Sequence, residues 1–144
     1  MSNQKVTPAI YLYLEKDGKI LLGRRFNTGF EDGKYTLPAG HADHGESLTK
    51  SLIREMKEEI SLKLRLEDLK FVHLIHKTAD EERFDIFFKA SKWEGKLQNL
   101  EPDECDDLSW FPVDKLPKNT IAYISHAIDY IKKRMTYSEF GWGR

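Results

Sequence analysis

The feature that most narrows the choice of fold is a change of apolar period at residue 47. Before it, apolar residues come in short dense runs. From Ser47 to Ile60 they recur every four residues, as Leu48, Leu52, Met56 and Ile60, with Ile53 widening the stripe. A four-residue spacing marks a helix with one buried face, whereas dense β-branched and aromatic runs mark strands. The chain is therefore expected to lay an amphipathic helix against a sheet. Ser47 or Gly45 suits the helix N-terminus, and Glu46 there complements the helix dipole.

The flanking segments supply the sheet. Residues 6–14 and 20–23 are apolar runs on either side of Asp17-Gly18, a hairpin signal, and Arg24 and Arg25 close the second strand. Residues 26–35 read as a loop, and residues 36–40 as extended, because Pro38 biases Leu37 away from helix. Residues 71–76 and 84–90 read as strands around a polar segment, Trp93 and Leu97 as part of another, and residues 108–111 as the last. Ile121, Ile124, Ile128 and Ile131 mark a second helix. This order predicts one α+β domain over residues 1–144, a mixed β-sheet sandwiched between helices (α/β/α). His73 and His76 read as a turn or surface feature. The aromatic tail, residues 137–142, has two open placements: packed back over the sheet, or buried against a second copy in a homodimer.

Composition excludes more than it identifies. The chain has 144 residues, 40% hydrophobic and 33% charged, with a formal net charge of −1. Lysines and acids are interspersed, so no basic stripe points to a nucleic-acid polymer. No apolar run nears the roughly 18 residues of a membrane span. Residues 1–5 lack an apolar leader, and the single cysteine, Cys105, excludes an internal disulfide and a Cys-based zinc cluster. A cytoplasmic protein with no membrane partner is the expectation. A small anionic ligand fits the charge if a metal ion supplies the local positive charge.

The chemistry is concentrated in Arg54-Glu55-Met56-Lys57-Glu58-Glu59. Spacings of three and four put Glu55, Glu58 and Glu59 on neighbouring helix positions, where like charges cost about 0.2–0.5 kcal/mol per pair. A solvated helix face is one reading. The other is a site for a hard cation, since clustered oxygen ligands suit Mg²⁺ or Mn²⁺.

The context of these residues decides between the two. Gly40 is followed after five residues by Glu46, and after seven more by Arg54-Glu55, then Met56, Lys57, Glu58, Glu59, Ile60, Ser61 and Leu62. This run, residues 40–62, closely resembles the Nudix box of the MutT-like hydrolases. One position departs: Ser61 stands where the family usually has glycine, at a helix end where φ turns positive. The resemblance implies an Mg²⁺-dependent hydrolase (Mn²⁺ as an alternative) that cuts a nucleoside diphosphate linked to another group. It implies Glu55, Glu58 and Glu59 as metal ligands with the Ala39 carbonyl, and Glu55 or Glu58 as the base, Glu55 being favoured. Arg54 pairs with Glu46 or Glu58 to orient a carboxylate, and Gly40 lets backbone approach the metal. A further ligand from outside the box is expected in the acidic stretch 101–107, with Glu101 and Glu104 as candidates. The leading substrate is a nucleoside triphosphate, oxidised dGTP among the candidates, giving the monophosphate and pyrophosphate. A nucleotide sugar, ADP-ribose or a capped RNA end is the enzymatic alternative, and a nucleotide-sensing module without catalysis is the other.

For the rest of the substrate, strand alternation lets at most one of Arg24 and Arg25 touch phosphate. Phe26, Phe30, Tyr35 and Trp93 are the aromatics available for stacking on a base.

Overall fold

The computed structural model describes residues 6–79 and 81–143; the N-terminal residues 1–5 of the leader reading lie outside it. Strands β1 (Thr7–Lys16) and β2 (Lys19–Arg25) flank a tight turn in which Asp17 and Gly18 both have positive φ, 54° and 75°. That combination suits the right-handed strand twist, which is why Asp-Gly is found there. The two strands pair only at the turn, Glu15 with Ile20 and Lys16 with Lys19, and then take different partners. β1 runs parallel to β6 (Glu82–Ala90) and antiparallel to β4 (Ala39–His41). β2 pairs with β3 (Tyr35–Thr36) and β7 (Cys105–Pro112). β5 (Lys70–Thr78) pairs with β6, and β8 (Tyr137–Phe140) joins β5 in parallel at the edge.

Alternation along β1 builds both cores. Ile10, Leu12 and Leu14 face helix α1 (Leu48–Ile60), whose buried residues are Ser51, Leu52, Met56 and Ile60. Tyr11 and Tyr13 face helix α2 (Ala122–Lys132) through Ile124, Ala127, Ile128 and Ile131. Each of these large apolar side chains contributes about 1.5–3 kcal/mol on burial. The sheet is mixed and has a helix on each face, as the element order predicts.

Two expectations change, and the tail takes one of its two open placements. Trp93 and Leu97 belong to no strand: residue 94 makes one isolated bridge with Lys63, and Trp93 stacks on Trp110, 5.8 Å between centroids. His73 is fully buried, not at the surface. Its Nδ1 lies 2.6 Å from the Met135 carbonyl and its Nε2 2.8 Å from Ser138 Oγ, which also meets His126 Nε2 at 2.9 Å. A strand histidine looks polar in sequence, but it can be buried when both ring nitrogens find partners. The tail packs back on the sheet as β8, and Trp142 donates its indole N–H to the His76 carbonyl at 2.9 Å.

Candidate active site

The divergence of β1 and β2 leaves a cleft beside β4, and α1 presents acidic side chains to it. Ser47 caps α1, its hydroxyl accepting from the Lys50 N–H at 3.2 Å. The helix ends at Ser61, in the left-handed region with φ 60°, and the N–H groups of Ser61 and Leu62 return to the Met56 carbonyl. The missing glycine is thus replaced by a residue that adopts glycine's conformation, at a cost of about 1 kcal/mol.

Gly40 has a packing role beside the one expected of it. A Cβ there would stand 2.6 Å from Cγ of Glu55, so the glycine makes room for the Glu55 stem and lets α1 seat on β4. Arg54 is the hub of the charged side chains. Its guanidinium reaches Glu46 and Asp43 at 3.0 Å and Glu55 and Glu58 at 3.3 Å. Ser51 adds a 2.7 Å hydrogen bond to Glu46. Arg54 first, then Ser51, holds the Glu46 carboxyl below the usual carboxylate range.

Glu59 is in the opposite condition. Burial, then a hydrogen bond with Glu55, then the charges of Glu101, Glu55 and Glu104 push its carboxyl up to about 9. Glu101 is also raised, by burial first and then by Glu104, to which it hydrogen-bonds. The acidic loop reaches this point by docking on the end of α1. Leu100 N–H donates to the Glu59 carbonyl at 2.9 Å and Gln98 N–H to the Ile60 carbonyl at 3.0 Å. These carbonyls lack helical partners of their own. Asn99 braces the turn, donating to the Cys105 carbonyl at 2.6 Å and accepting from the Glu101 N–H at 3.0 Å. Nothing in the sequence reading anticipated this docking; the signal available was Asn99 two residues before Glu101, a side chain suited to bracing a turn.

Two cavities adjoin the cluster. One, of about 270 Å³, is lined by Arg24, Arg25, Ala39, Glu59, Glu101 and Glu104 among others. The second, of about 550 Å³, shares Arg25, Ala39, Glu59, Glu101 and Glu104 and adds Gly40 and Glu55. Glu58 lines neither: its side chain is 57% exposed and it faces Arg54. Glu58 shares Arg54 Nη1 with Glu55, 3.3 Å from each, and stands at the margin of the cluster. Both arginines line the smaller cavity, where alternation predicted one, because a register shift between them interrupts the pairing with β7. Arg24 is already held by Asp106 at 2.7 Å, and Arg25 donates to the Phe30 carbonyl at 2.6 Å. Phe26 and Phe30 are exposed, and Tyr35 is buried. Cys105, half-buried, donates its thiol hydrogen to the Asp107 carbonyl at 3.3 Å.

Among the described residues, no three of these groups already converge into a ligand shell for a metal ion. The donor chemistry nevertheless fits a hard divalent cation. Every donor is oxygen, and Glu55, Glu59, Glu101 and Glu104 line adjoining cavities.

The sequence profile of the NUDIX domain matches residues 4–130. The chain belongs to the Nudix family. It is 28% identical over 116 residues to the NAD-capped RNA hydrolase NudC of Pseudomonas entomophila (strain L48), covering 81% of this chain and 40% of that protein. It is 29% identical over 123 residues to the ADP-ribose pyrophosphatase of Methanocaldococcus jannaschii, covering 83% of this chain and 69% of that one. The chain thus spans about 40% of the length of the NudC protein it matches. In structure it is similar to a MutT Nudix hydrolase from Burkholderia pseudomallei, with a TM-score of 0.80 at 24% identity, over 88% of this chain and 98% of that one.

Proposed function

We propose that this Nudix domain is a divalent-metal-dependent pyrophosphohydrolase acting on a nucleoside diphosphate linked to a second group. The observation that carries this reading is the cluster of Glu55, Glu59, Glu101 and Glu104 along two adjoining cavities, in which, among the described residues, only Glu55 forms an ion pair. Such a substrate has a group to place on each side of the bond that breaks, and the ADP-ribose pyrophosphatase relative is named for one of this kind. A nucleoside triphosphate is the second reading, supported by the likeness in fold to a MutT Nudix hydrolase.

Glu55, Glu59, Glu101 and Glu104, with Glu58 at the margin and the Ala39 carbonyl, are the groups that would hold Mg²⁺ or Mn²⁺. When bound, the cation neutralises phosphate charge and acidifies water. Glu55 takes the proton from the attacking water, its stem packed on Gly40 and its carboxylate reached by Arg54. Glu46 and Arg54 keep that carboxylate oriented, and Arg25 faces both cavities and offers its charge to phosphate. Small soluble nucleotides, not nucleic-acid polymers, match the modest size of the cavities and the net charge of −1.

The test is to incubate the protein with Mg²⁺ and ADP-ribose, NAD, nucleotide sugars or nucleoside triphosphates and to identify the products. Monophosphate plus a second phosphorylated group supports the first reading, and monophosphate plus pyrophosphate the second. Glu55→Gln lowers kcat about 10³-fold, as expected for loss of a general base. Turnover by folded Glu55→Gln at the wild-type rate would sink the assignment of the base.

A further inference from the structure

Besides its carboxylates, the larger cavity is lined by Phe30, Tyr11 and Tyr123. Against Tyr123 lies an ion pair that the chemistry above does not use. Lys77 on β5 and Asp85 on β6 are diagonal neighbours across the two strands, with Nζ 2.9 Å from Oδ2, and they are 4% and 0% exposed. Among the described residues, neither carboxylate oxygen receives a well-directed hydrogen bond. A buried pair of this kind is a poor means of stabilising a fold, because desolvation offsets the attraction and apolar replacements are often as good.

The pair has a third member. Lys77 Nζ lies 3.4 Å from the centroid of the Tyr123 ring. An ammonium against an aromatic ring draws its electron density toward the charge. The part of the ring left to the cavity is then better matched to an electron-rich aromatic surface. Phe30, 46% exposed, stands in an ordered loop: Thr28 and Gly29 N–H groups donate to Asp32, and Arg25 holds the Phe30 carbonyl.

We propose that the larger cavity takes the nucleobase of the substrate on Tyr123, with Phe30 as the outer stacking surface, and that Lys77 and Asp85 are positioning residues that hold Tyr123 for it. The proposal rests on the pyrophosphohydrolase reading for the rest of the ligand, but base binding can be measured without hydrolysis.

Two measurements test it. In the first, AMP, GMP, CMP and UMP are titrated into the metal-free protein and followed by NMR. Shifts concentrated at Phe30, Tyr11 and Tyr123 are expected; shifts confined elsewhere, or none with any of the four, overturn the proposal even if hydrolysis is robust. In the second, Tyr123→Leu and the charge-free double variant Lys77→Met/Asp85→Leu are compared with wild type on a nucleotide substrate and on phosphoribosyl pyrophosphate, which lacks a base. Loss of one stacking partner is worth about tenfold. The expected result is a fall of about tenfold in kcat/KM for the nucleotide relative to the base-free substrate, residing in KM. An equal loss on both substrates, or in kcat alone, overturns the positioning role. If the double variant does not fold, Tyr123→Leu and the titration still decide. A protein that binds the monophosphates but hydrolyses nothing removes the catalytic reading and leaves the base subsite standing.

Discussion

Two groups of acidic side chains meet at α1, and they differ in what balances their charge. Asp43, Glu46 and Glu58 surround the guanidinium of Arg54. Among the described residues, Glu59, Glu101 and Glu104 have no such partner, and Glu55 stands between the groups, touched by Arg54 on one side and acting on the Glu59 carboxyl on the other. The first group is neutralised by the chain itself, and its carboxylates fix geometry. In the second, burial and neighbouring carboxylates push Glu59 and Glu101 up, the mark of negative charge gathered in one partly buried place. Acidic residues are abundant along this chain; what marks a site is charge left uncompensated in a partly buried place.

Among substitutions that separate the two groups, the largest effect comes from relieving the second. Glu59→Gln lowers activity about 100-fold while raising the unfolding midpoint of metal-free protein by about 4 °C, the shift that a gain of about 1 kcal/mol produces at this size. A lower midpoint would mean that the cluster is not strained. Next, Arg54→Lys tests the first group. A lysine cannot fork between Glu46 and Glu55, so kcat falls about 10-fold to 100-fold, with KM for substrate little changed. Wild-type kcat in that variant would show that Arg54 orients nothing.

Gly40→Ala probes the seam between the groups. Its new methyl meets Cγ of Glu55, and overpacking of this kind costs about 1–3 kcal/mol, readable as a lower urea midpoint. The smallest effect concerns a buried polar set that carries no charge. Burial holds His73 and His126 below their ordinary value of 6.5. Below that pH the unfolded chain binds protons that the folded one refuses, so stability is full above about pH 6.5 and is lost as pH falls further. Acidification also relieves the raised Glu59 carboxyl, so urea midpoints at about pH 7.5 and about pH 5 are compared between wild type and His73→Gln/His126→Gln. The variant should gain more, or lose less, on acidification than wild type, and an identical pH dependence contradicts the assignment.

The sequence was most legible where local rules act alone. The period of α1, the Asp17-Gly18 turn and the positive φ at Ser61 all follow from neighbouring residues. Pairing across the chain was harder to read. The tail becomes β8 only because the free edge of β5 accepts it, and Trp93 stays outside the sheet because Trp110 offers it a stacking partner. Within the site, three box carboxylates look equivalent in sequence, yet seating α1 on β4 turns Glu58 toward Arg54 and solvent. The interruption of alternation at Arg24 and Arg25 depends on how β7 pairs, which no local pattern encodes.

The docking of residues 98–100 on the end of α1 has a consequence for how such a domain diversifies. The attachment uses the main chain of Gln98 and Leu100 and the side chain of Asn99, and none of the loop's carboxylates. Replacing Glu101 or Glu104 therefore leaves the loop's anchorage intact. Selection can retune the charge and ligand field of the cluster through these positions while keeping one scaffold, a division of labour that separates placing a residue from choosing it.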